Sequence, residues 1–274
     1  MSAAAFTLAL GAAFLHALWN LLLARERDPE PATAIAICAS VLVLAPVAPV
    51  VWDVDSRVWP FIAVTSLLQL LYFSLLATAY RHAELSFVYP IARGLAPVLV
   101  LLVGVVVLGT GASAAQTLGV CLVGVGILLV RGLGGERDLA GGALAVAIAS
   151  SIAAYTLVDK SGIRYASPIV YLELGLAATA LGALLLVALL PSGRARLRAA
   201  FRATSAVAGV VSFIAYALVL AALERAPAAS VAAVRETSVL FVAALAAPTL
   251  GERVRPARLA GAALVVGGIS LLVL

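Results

Sequence analysis

The chain has 274 residues, of which 64% are apolar and only 11% are Asp, Glu, Lys or Arg. Soluble domains are nearer about 45–50% apolar and about 25% charged, so the composition excludes a water-soluble protein. The 18 basic residues exceed the 13 acidic ones and give a formal net charge of +5. In a membrane protein such an excess sets orientation, and it does not indicate binding to nucleic acid.

Apolar runs, taken in chain order, predict an all-α polytopic membrane protein with ten transmembrane helices. A helix that crosses the hydrocarbon core of a bilayer needs about 20 apolar residues. The runs are continuously apolar, whereas the strands of a membrane β-barrel alternate between polar and apolar residues. The predicted spans are residues 4–24, 32–52, 60–80, 86–108, 113–131, 139–158, 169–190, 204–223, 228–249 and 256–274.

Basic residues are distributed unequally between the two sets of loops. The odd loops, which follow spans 1, 3, 5, 7 and 9, hold twelve, and the even loops hold four. The positive-inside rule therefore predicts that the odd loops lie in the cytoplasm and that both termini lie outside.

The sequence contains an internal repeat with an offset of 142 residues. This offset aligns Arg93 with Arg235, and it also aligns three pairs of glycines: Gly109 with Gly251, Gly119 with Gly261, and Gly126 with Gly268. It maps span 4 onto span 9 and span 5 onto span 10, so the repeat unit is five spans. An odd number of crossings inverts the second copy, which predicts two inverted five-helix repeats, residues 1–131 and 132–274. Such repeats are typical of secondary transporters, whose substrate site lies near the midplane.

Two arginines stand deep within predicted spans. Arg93 and Arg235 are each the eighth residue of their span, about 10 Å from the helix end. An arginine at this depth needs a polar partner, and its planar fork suits a carboxylate or a phosphate. In the alternative interpretation, Glu236 neutralises Arg235 and the pair serves packing.

Other polar and aromatic side chains share helix faces. His16, Trp19 and Asn20 lie at positions i, i+3 and i+4 of span 1. The predicted substrate-binding residues are Trp19, Asn20, Tyr72, Tyr89, Arg93, Tyr155, Tyr216, Arg235 and Ser238. Two alternatives remain open, namely that Asn20 joins two helices by a hydrogen bond and that the tyrosines form a buried structural stack.

Three ionisable residues are predicted candidates for proton coupling. Glu236 is the first choice because it lies deepest, and Asp159 and His16 are the others. For Asp159, the neighbouring Lys160 and the nearby span end favour a solvated structural pair. The chain has only two histidines and two cysteines, so neither a metal nor another cofactor is expected.

Several short segments resemble one transporter family. The segments are residues 16–20 (HALWN), 90–97 (PIARGLAP), 155–160 (YTLVDK), 235–238 (RETS) and 250–253 (LGER). Their order along the chain resembles that of the drug/metabolite transporter superfamily, in particular its EamA-like members. The resemblance implies two five-helix repeats and transport of amino acids, other metabolites or drugs. It also implies cytoplasmic termini, in conflict with the loop count, and Thr110 departs from the acidic residue common at that position.

Together these features predict a secondary active transporter or exchanger of small organic solutes. We expect an exporter that works by alternating access around a central cavity between the repeats, in the plasma (inner) membrane of a bacterium. Its expected partners are a small-molecule substrate and the lipid bilayer, and the protein is expected to be a monomer or homodimer. The alternatives are an intramembrane enzyme acting on lipid or peptide and a passive channel. The sequence has no His-Glu-x-x-His, Gly-x-Ser-x-Gly or P-loop pattern to support an enzyme.

Overall fold

The computed structural model describes residues 1–23, 26–82, 85–131, 139–250 and 256–273. Within these residues the fold is built from α-helices, with two short 3-10 helices at Ala48–Val51 and Ser56–Val58. The α-helices are α1 (Ala3–Leu23), α2 (Pro29–Leu44), α3 (Trp59–His82), α4 (Leu85–Val106), α5 (Ala114–Arg131), α6 (Leu139–Gly162), α7 (Pro168–Leu189), α8 (Gly193–Ala200), α9 (Ala203–Arg225), α10 (Ala228–Arg235), α11 (Ser238–Leu250) and α12 (Pro256–Val273).

Much of this helical structure is suited to a bilayer. Five helical segments of the described chain are long and apolar enough to cross a membrane, and four apolar helices of 10–17 residues accompany them. The all-helical membrane fold is therefore confirmed, whereas the total of ten spans stays a prediction. The five long segments are Ala3–Leu23, Ser56–Ala79, Leu139–Gly162, Pro168–Leu189 and Ala203–Arg225.

The bounds of two predicted spans differ from the observed helices. Span 2 was expected to reach residue 52, but α2 ends at Leu44. Pro46 and Pro49 follow, and because proline has no N–H the chain continues as turns and a 3-10 helix. Span 6 was expected to end at residue 158, but α6 continues to Gly162 and so places Asp159 inside the helix.

Predicted span 9 is interrupted near its middle. The helix α10 ends at Arg235, Glu236 and Thr237 form a turn, and α11 begins at Ser238. At the interruption the backbone hydrogen bonds change from the i→i−4 to the i→i−3 pattern. The N–H of Thr237 donates to the carbonyl of Val234 at 3.0 Å. Discontinuous helices of this kind form substrate sites in many secondary transporters.

The last helices of the two predicted repeats pack backbone against backbone. A Cβ atom added at Gly126 would lie 2.7 Å from the carbonyl oxygen of Gly261, and one added at Gly268 would lie 2.6 Å from that of Gly119. Because Gly119 meets Gly268 and Gly126 meets Gly261, α5 and α12 run antiparallel. These four glycines make up two of the pairs that the 142-residue offset aligns, and each of them contacts a member of the other pair. The close approach of the two backbones leaves no room for a Cβ atom at any of the four positions.

A contact between two even loops joins the two halves of the chain at one end of the molecule. We call it the loop clasp and define it as residues 51–57 and 165–167. Val54 forms an isolated antiparallel bridge with Ala166, and the N–H of Asp55 donates to the carbonyl of Tyr165 at 2.7 Å. Arg57 lies over the Tyr165 ring, 4.8 Å from its centroid. Hydrogen bonds from Arg57 lower the pKa of Asp55 to about 2, so this carboxyl stays ionised throughout the neutral range.

Packing between the remaining helices brings several of them around one polar centre. The helix α1 lies along α9, both α3 and α4 pack against α6, and α10 contacts α1 and α4. Side chains from α1, α3, α4, α6, α7, α9 and the end of α10 therefore meet in the interior.

Candidate functional site

The centre of the molecule holds an ion triad, which we define as Arg93, Arg235 and Glu236. The exposed fractions of these residues are 3%, 2% and 0%, respectively. Arg93 Nη1 donates to both carboxylate oxygens of Glu236 at 3.3 Å. Arg235 donates to Glu236 Oε1 from Nη2 at 3.1 Å and from Nε at 3.3 Å. The two repeat-related arginines thus converge on one carboxylate.

His16 extends the triad toward α1. Its Nε2 lies 2.8 Å from Nη2 of Arg93, and its Nδ1 lies 3.1 Å from Nε1 of Trp19. Asn20 Nδ2 donates to the carbonyl oxygen of His16 at 2.6 Å, so its amide is engaged within its own helix. The polar face predicted in span 1 therefore turns inward, with His16 as its contact to α4.

Asp159 occupies a separate cage of hydroxyl groups. Its Oδ1 accepts hydrogen bonds from Thr65 Oγ1 at 2.6 Å and from the Tyr171 hydroxyl at 2.9 Å. Its Oδ2 accepts one from the Tyr216 hydroxyl at 2.5 Å. The expectation that Asp159 forms a solvated pair with Lys160 is wrong, because Asp159 is fully buried and Lys160 Nζ donates to the carbonyls at the end of α9 instead. The longer α6 explains the difference, since residues 159 and 160 point to different sides of a continuing helix.

Between these two clusters lies a small cavity, which we call the inner cavity. Its volume is about 90 Å³, and His16, Trp19 and Arg93 form part of its wall. Tyr72, Tyr155 and Tyr216 form another part as a row of edge-to-face rings whose successive centroids are 6.1 Å apart. Gln69, Ser40 and Ser212 add hydrogen-bonding groups to an otherwise apolar lining. A cavity with one guanidinium, several aromatic rings and a few amide or hydroxyl groups suits a small amphipathic solute.

A larger cavity adjoins it, which we call the outer cavity. Its volume is about 540 Å³, and it shares Trp19 and Tyr72 with the inner cavity. Its far end is lined by Asp28, Glu30 and Arg196, which lie in or beside the odd loops. Arg196 of α8 donates to Asp28 at 2.7 Å and to Glu30 at 2.9 Å. The outer cavity thus extends toward the odd-loop end, opposite the loop clasp.

The remaining predicted site residues have different positions. Arg235 and Ser238 are buried beside the helix interruption, and neither is among the side chains that line the two cavities. Asn20 lines the outer cavity. The side chain of Tyr89 lies outside the part of the chain that the structure describes.

Sequence reasoning missed two members of the site. Thr65 and Tyr171 both bond to Asp159, yet nothing in their local pattern marks them as partners of a residue in α6. A signal was present for Thr65, which lies four residues before Gln69 on the same helix face, and Gln69 Nε2 lies 3.3 Å from its hydroxyl. Among the described residues no three His, Cys, Asp or Glu side chains are grouped to hold a metal ion.

In a helical membrane protein, buried ionisable residues beside a cavity are typical of a pathway for a substrate or an ion. The chain belongs to the EamA-like transporter family, whose model matches it twice, over residues 3–132 and 139–274. This match confirms the family resemblance, and the chain is therefore a multi-pass membrane transporter of small solutes.

Comparison with a solved structure agrees with the fold. A structure described only as a crystal structure of a protein matches with a TM-score of 0.76 over 99% of this chain and 96% of that one. The two sequences are 17% identical, so the likeness concerns the fold alone. No curated protein matches the sequence significantly.

Proposed function

We propose that the protein is a secondary active transporter that exports small amphipathic solutes carrying an anionic group, by alternating access. One observation carries the proposal. The inner cavity continues into the outer cavity toward the odd-loop end, while the loop clasp joins the two halves at the even-loop end. A central site reached from one end and closed at the other is what alternating access requires.

The net positive charge of the triad favours a solute that carries an anionic group. The triad contains two guanidiniums and one carboxylate, and Arg93 also faces the inner cavity. A carboxylate or phosphate would form charge-assisted hydrogen bonds with it in a site largely shielded from water. The row of tyrosines opposite would pack against the apolar part of the solute, as in an aromatic amino acid or a related metabolite.

The distribution of basic residues supports export. The odd loops hold twelve of them, and by the positive-inside rule we expect these loops to lie in the cytoplasm, with the protein in the inner membrane of a bacterium. The outer cavity extends toward the same end of the molecule. In this orientation the structure is a cytoplasm-facing state, from which an exporter would load its solute.

Counterflow in vesicles reconstituted with purified protein tests the proposal. We expect saturable, solute-specific uptake into vesicles preloaded with the same solute, measured across a panel of amino acids, other metabolites and drugs. Arg93→Lys should raise the apparent KM roughly tenfold or more, because lysine cannot reproduce the bidentate fork of arginine.

Arg194→Lys is the matched control, since Arg194 is an exposed residue of α8. It should leave the KM unchanged. Flux that does not saturate would instead indicate a channel, and absence of flux across the whole panel would contradict the transport proposal. An imposed pH gradient, applied in the same assay, separates proton-coupled transport from exchange.

A further inference from the structure

Glu173 of α7 is a buried acid that the proposed transport site does not use. It is the sixth residue of α7, about 7.5 Å along the helix from Pro168, and only 7% of its surface is exposed. Its Oε2 atom is enclosed by protein, and no described residue forms a hydrogen bond with it. Burial of an ionised carboxylate without a partner is strongly unfavourable, so the protonated acid is the favoured form at this position.

The two acids that the sequence predicts for proton coupling differ from Glu173 in this respect. Glu236 accepts hydrogen bonds from two guanidiniums, and Asp159 accepts three from hydroxyl groups. Among the buried polar side chains that the structure describes, Glu173 is the one with an enclosed oxygen that has no partner. A bound proton would remove the charge from this oxygen.

The helical position of Glu173 shows which elements cover it. On one neighbouring face of α7, Leu176 lines the inner cavity. On another face, a Cβ atom added at Gly175 would lie 3.4 Å from Cγ2 of Thr65 in α3, and Leu181 marks the exposed face. The helix also packs against α2 and the first 3-10 helix. These two elements therefore cover the face that carries Glu173.

Several helices that pack against α7, namely α2, α3, α8 and α9, carry ionisable side chains. Those on α9 bond elsewhere, since Tyr216 donates to Asp159 and Glu224 pairs with Arg225. None that the structure describes forms an ion pair or hydrogen bond with Glu173, and the first 3-10 helix has no ionisable residue. The others are Glu30 and Cys38 of α2, Tyr72, Tyr80, Arg81 and His82 of α3, and Arg194, Arg196 and Arg198 of α8.

The loop clasp ties together the elements on either side of Glu173. Ser167 directly precedes α7, and its hydroxyl donates to the carbonyl of Val51 at 2.8 Å. Its N–H donates to the carbonyl of Asp53 at 3.0 Å. Val51 is the last residue of the first 3-10 helix. Opening of the clasp would part this helix from the start of α7 and admit water to the carboxyl group, and a hydrated glutamate is ionised at neutral pH.

We infer that Glu173 is a proton-binding site that couples protonation to closure of the even-loop end. The inference rests on the proposed alternating-access transport and names a proton as a second species that the transporter binds. The closed state holds one more proton than the open state, so a rise in pH favours opening and a fall in pH favours closure. A proton from the even-loop side is then needed before the protein returns to the state seen in the structure.

Infrared difference spectroscopy of the purified protein tests the bound proton. At neutral pH, the carbonyl stretch of a protonated carboxylic acid should be present in the unaltered protein and weaker in Glu173→Gln. Glu173→Ala is a second variant without the acid, and it should give the same loss. Glu224→Gln, at an exposed and ion-paired side chain, is the control and should retain the full band. An unchanged band in both Glu173 variants would overturn the inference.

Distances between two spin labels test the coupling to closure. The labels are attached through Val50→Cys and Arg164→Cys, exposed positions on the two loops of the clasp, in a parent without the native cysteines. Between about pH 5 and about pH 9, the ratio of closed to open molecules should fall by up to about tenfold per pH unit. Glu173→Gln should remove this dependence, and Glu224→Gln should retain it. A ratio that is independent of pH in the labelled parent, or that changes equally in Glu173→Gln, would contradict the coupling.

The outcomes separate this inference from the proposed function. Both measurements use purified protein without solute, so they report on Glu173 even where counterflow shows no saturable flux. Absence of flux for every solute would overturn the proposed function. Normal counterflow together with an unchanged infrared band in the Glu173 variants would overturn the inference and leave transport intact.

Discussion

At the scale of single residues, Glu236 is the common partner of the two arginines that the repeat aligns. Its carboxylate is fully buried and holds both guanidiniums through hydrogen bonds of 3.1–3.3 Å. Burying two cations without this anion is strongly unfavourable, because the interior cannot replace the hydration of the guanidiniums. Glu236 thus stabilises the two buried guanidiniums, and this structural role is independent of any role in proton transport.

Glu236→Gln should therefore lower the free energy of unfolding by about 3–5 kcal/mol. The measurement is reversible unfolding in mild detergent, followed by circular dichroism. Glu224→Gln is the control. The ion pair of Glu224 with Arg225 is partly exposed, so it contributes less than about 1 kcal/mol to the free energy of unfolding. Equal stability of the two variants would contradict a structural role for the triad.

Asp159 acts on the cavity through Tyr216, whose hydroxyl bonds to it at 2.5 Å. Asp159→Asn replaces one acceptor oxygen with a donor, so at least one of the three surrounding hydroxyls loses its hydrogen bond. We expect the Tyr216 ring to shift and the apparent KM for transported solutes to rise roughly fivefold or more. Glu224→Gln, at an exposed side chain outside the cavities and the loop clasp, should leave the KM unaltered. An unchanged KM in both variants would show that the hydroxyl cage is remote from the transport site.

At the scale of elements, the contact between α5 and α12 depends on the absence of side chains. Gly126→Leu would place a branched side chain where even a Cβ atom approaches the backbone of Gly261 to 2.7 Å. The helices would have to separate, and overpacking of this kind costs about 1–3 kcal/mol or more. The expected result is a lower melting temperature and a lower yield of folded protein.

Gly142 provides the matched control for that substitution. It also lies in a helix, α6, but a Cβ atom added there meets nothing within 4 Å. Gly142→Leu should preserve the melting temperature of the unaltered protein. A comparable loss in both variants would assign the effect to glycine replacement in general, and not to the α5 and α12 contact.

At the scale of the whole molecule, the loop clasp is the contact that we propose closes the even-loop end. Residues directly opposite each other in an antiparallel bridge have Cα atoms about 4.5–5.5 Å apart, within the range that a disulfide spans. The double substitution Val54→Cys with Ala166→Cys, with Cys38 and Cys121 replaced by alanine, should form a disulfide under oxidising conditions. Oxidation should then lower the rate of counterflow at least tenfold, and a reductant should restore the original rate.

The cysteine-free parent, treated with the same oxidant and reductant, controls for the treatment. Full counterflow in the oxidised double variant, with the disulfide verified by mass spectrometry, would show that the clasp does not open during transport. Protonation is not expected to open the clasp in this assay. The pKa of Asp55 is about 2, so its stabilising ion pair with Arg57 is lost only as the pH falls toward that value.

Sequence patterns predicted much of this fold because the bilayer imposes strong local constraints. A membrane helix satisfies its own backbone hydrogen bonds, so apolar length alone places most helices to within a few residues. The interruption at Glu236 and Thr237 was not predicted, since residues 228–249 contain no glycine or proline near that point. The buried triad lies at the break, since it engages Arg235 at the end of α10 and Glu236 within the turn.

The sequence by itself determined the membrane class, the family, and the two repeat-related arginines as the central polar residues. These properties follow from composition, from short motifs and from an offset within one chain. Only the tertiary structure decided that both arginines share Glu236, that Asp159 binds hydroxyl groups and not Lys160, and that His16 lies between two donors. The physical reason is that hydrogen bonds between helices join residues far apart in the chain, 143 positions in the case of Arg93 and Glu236, and no local pattern in the chain records which of them will meet.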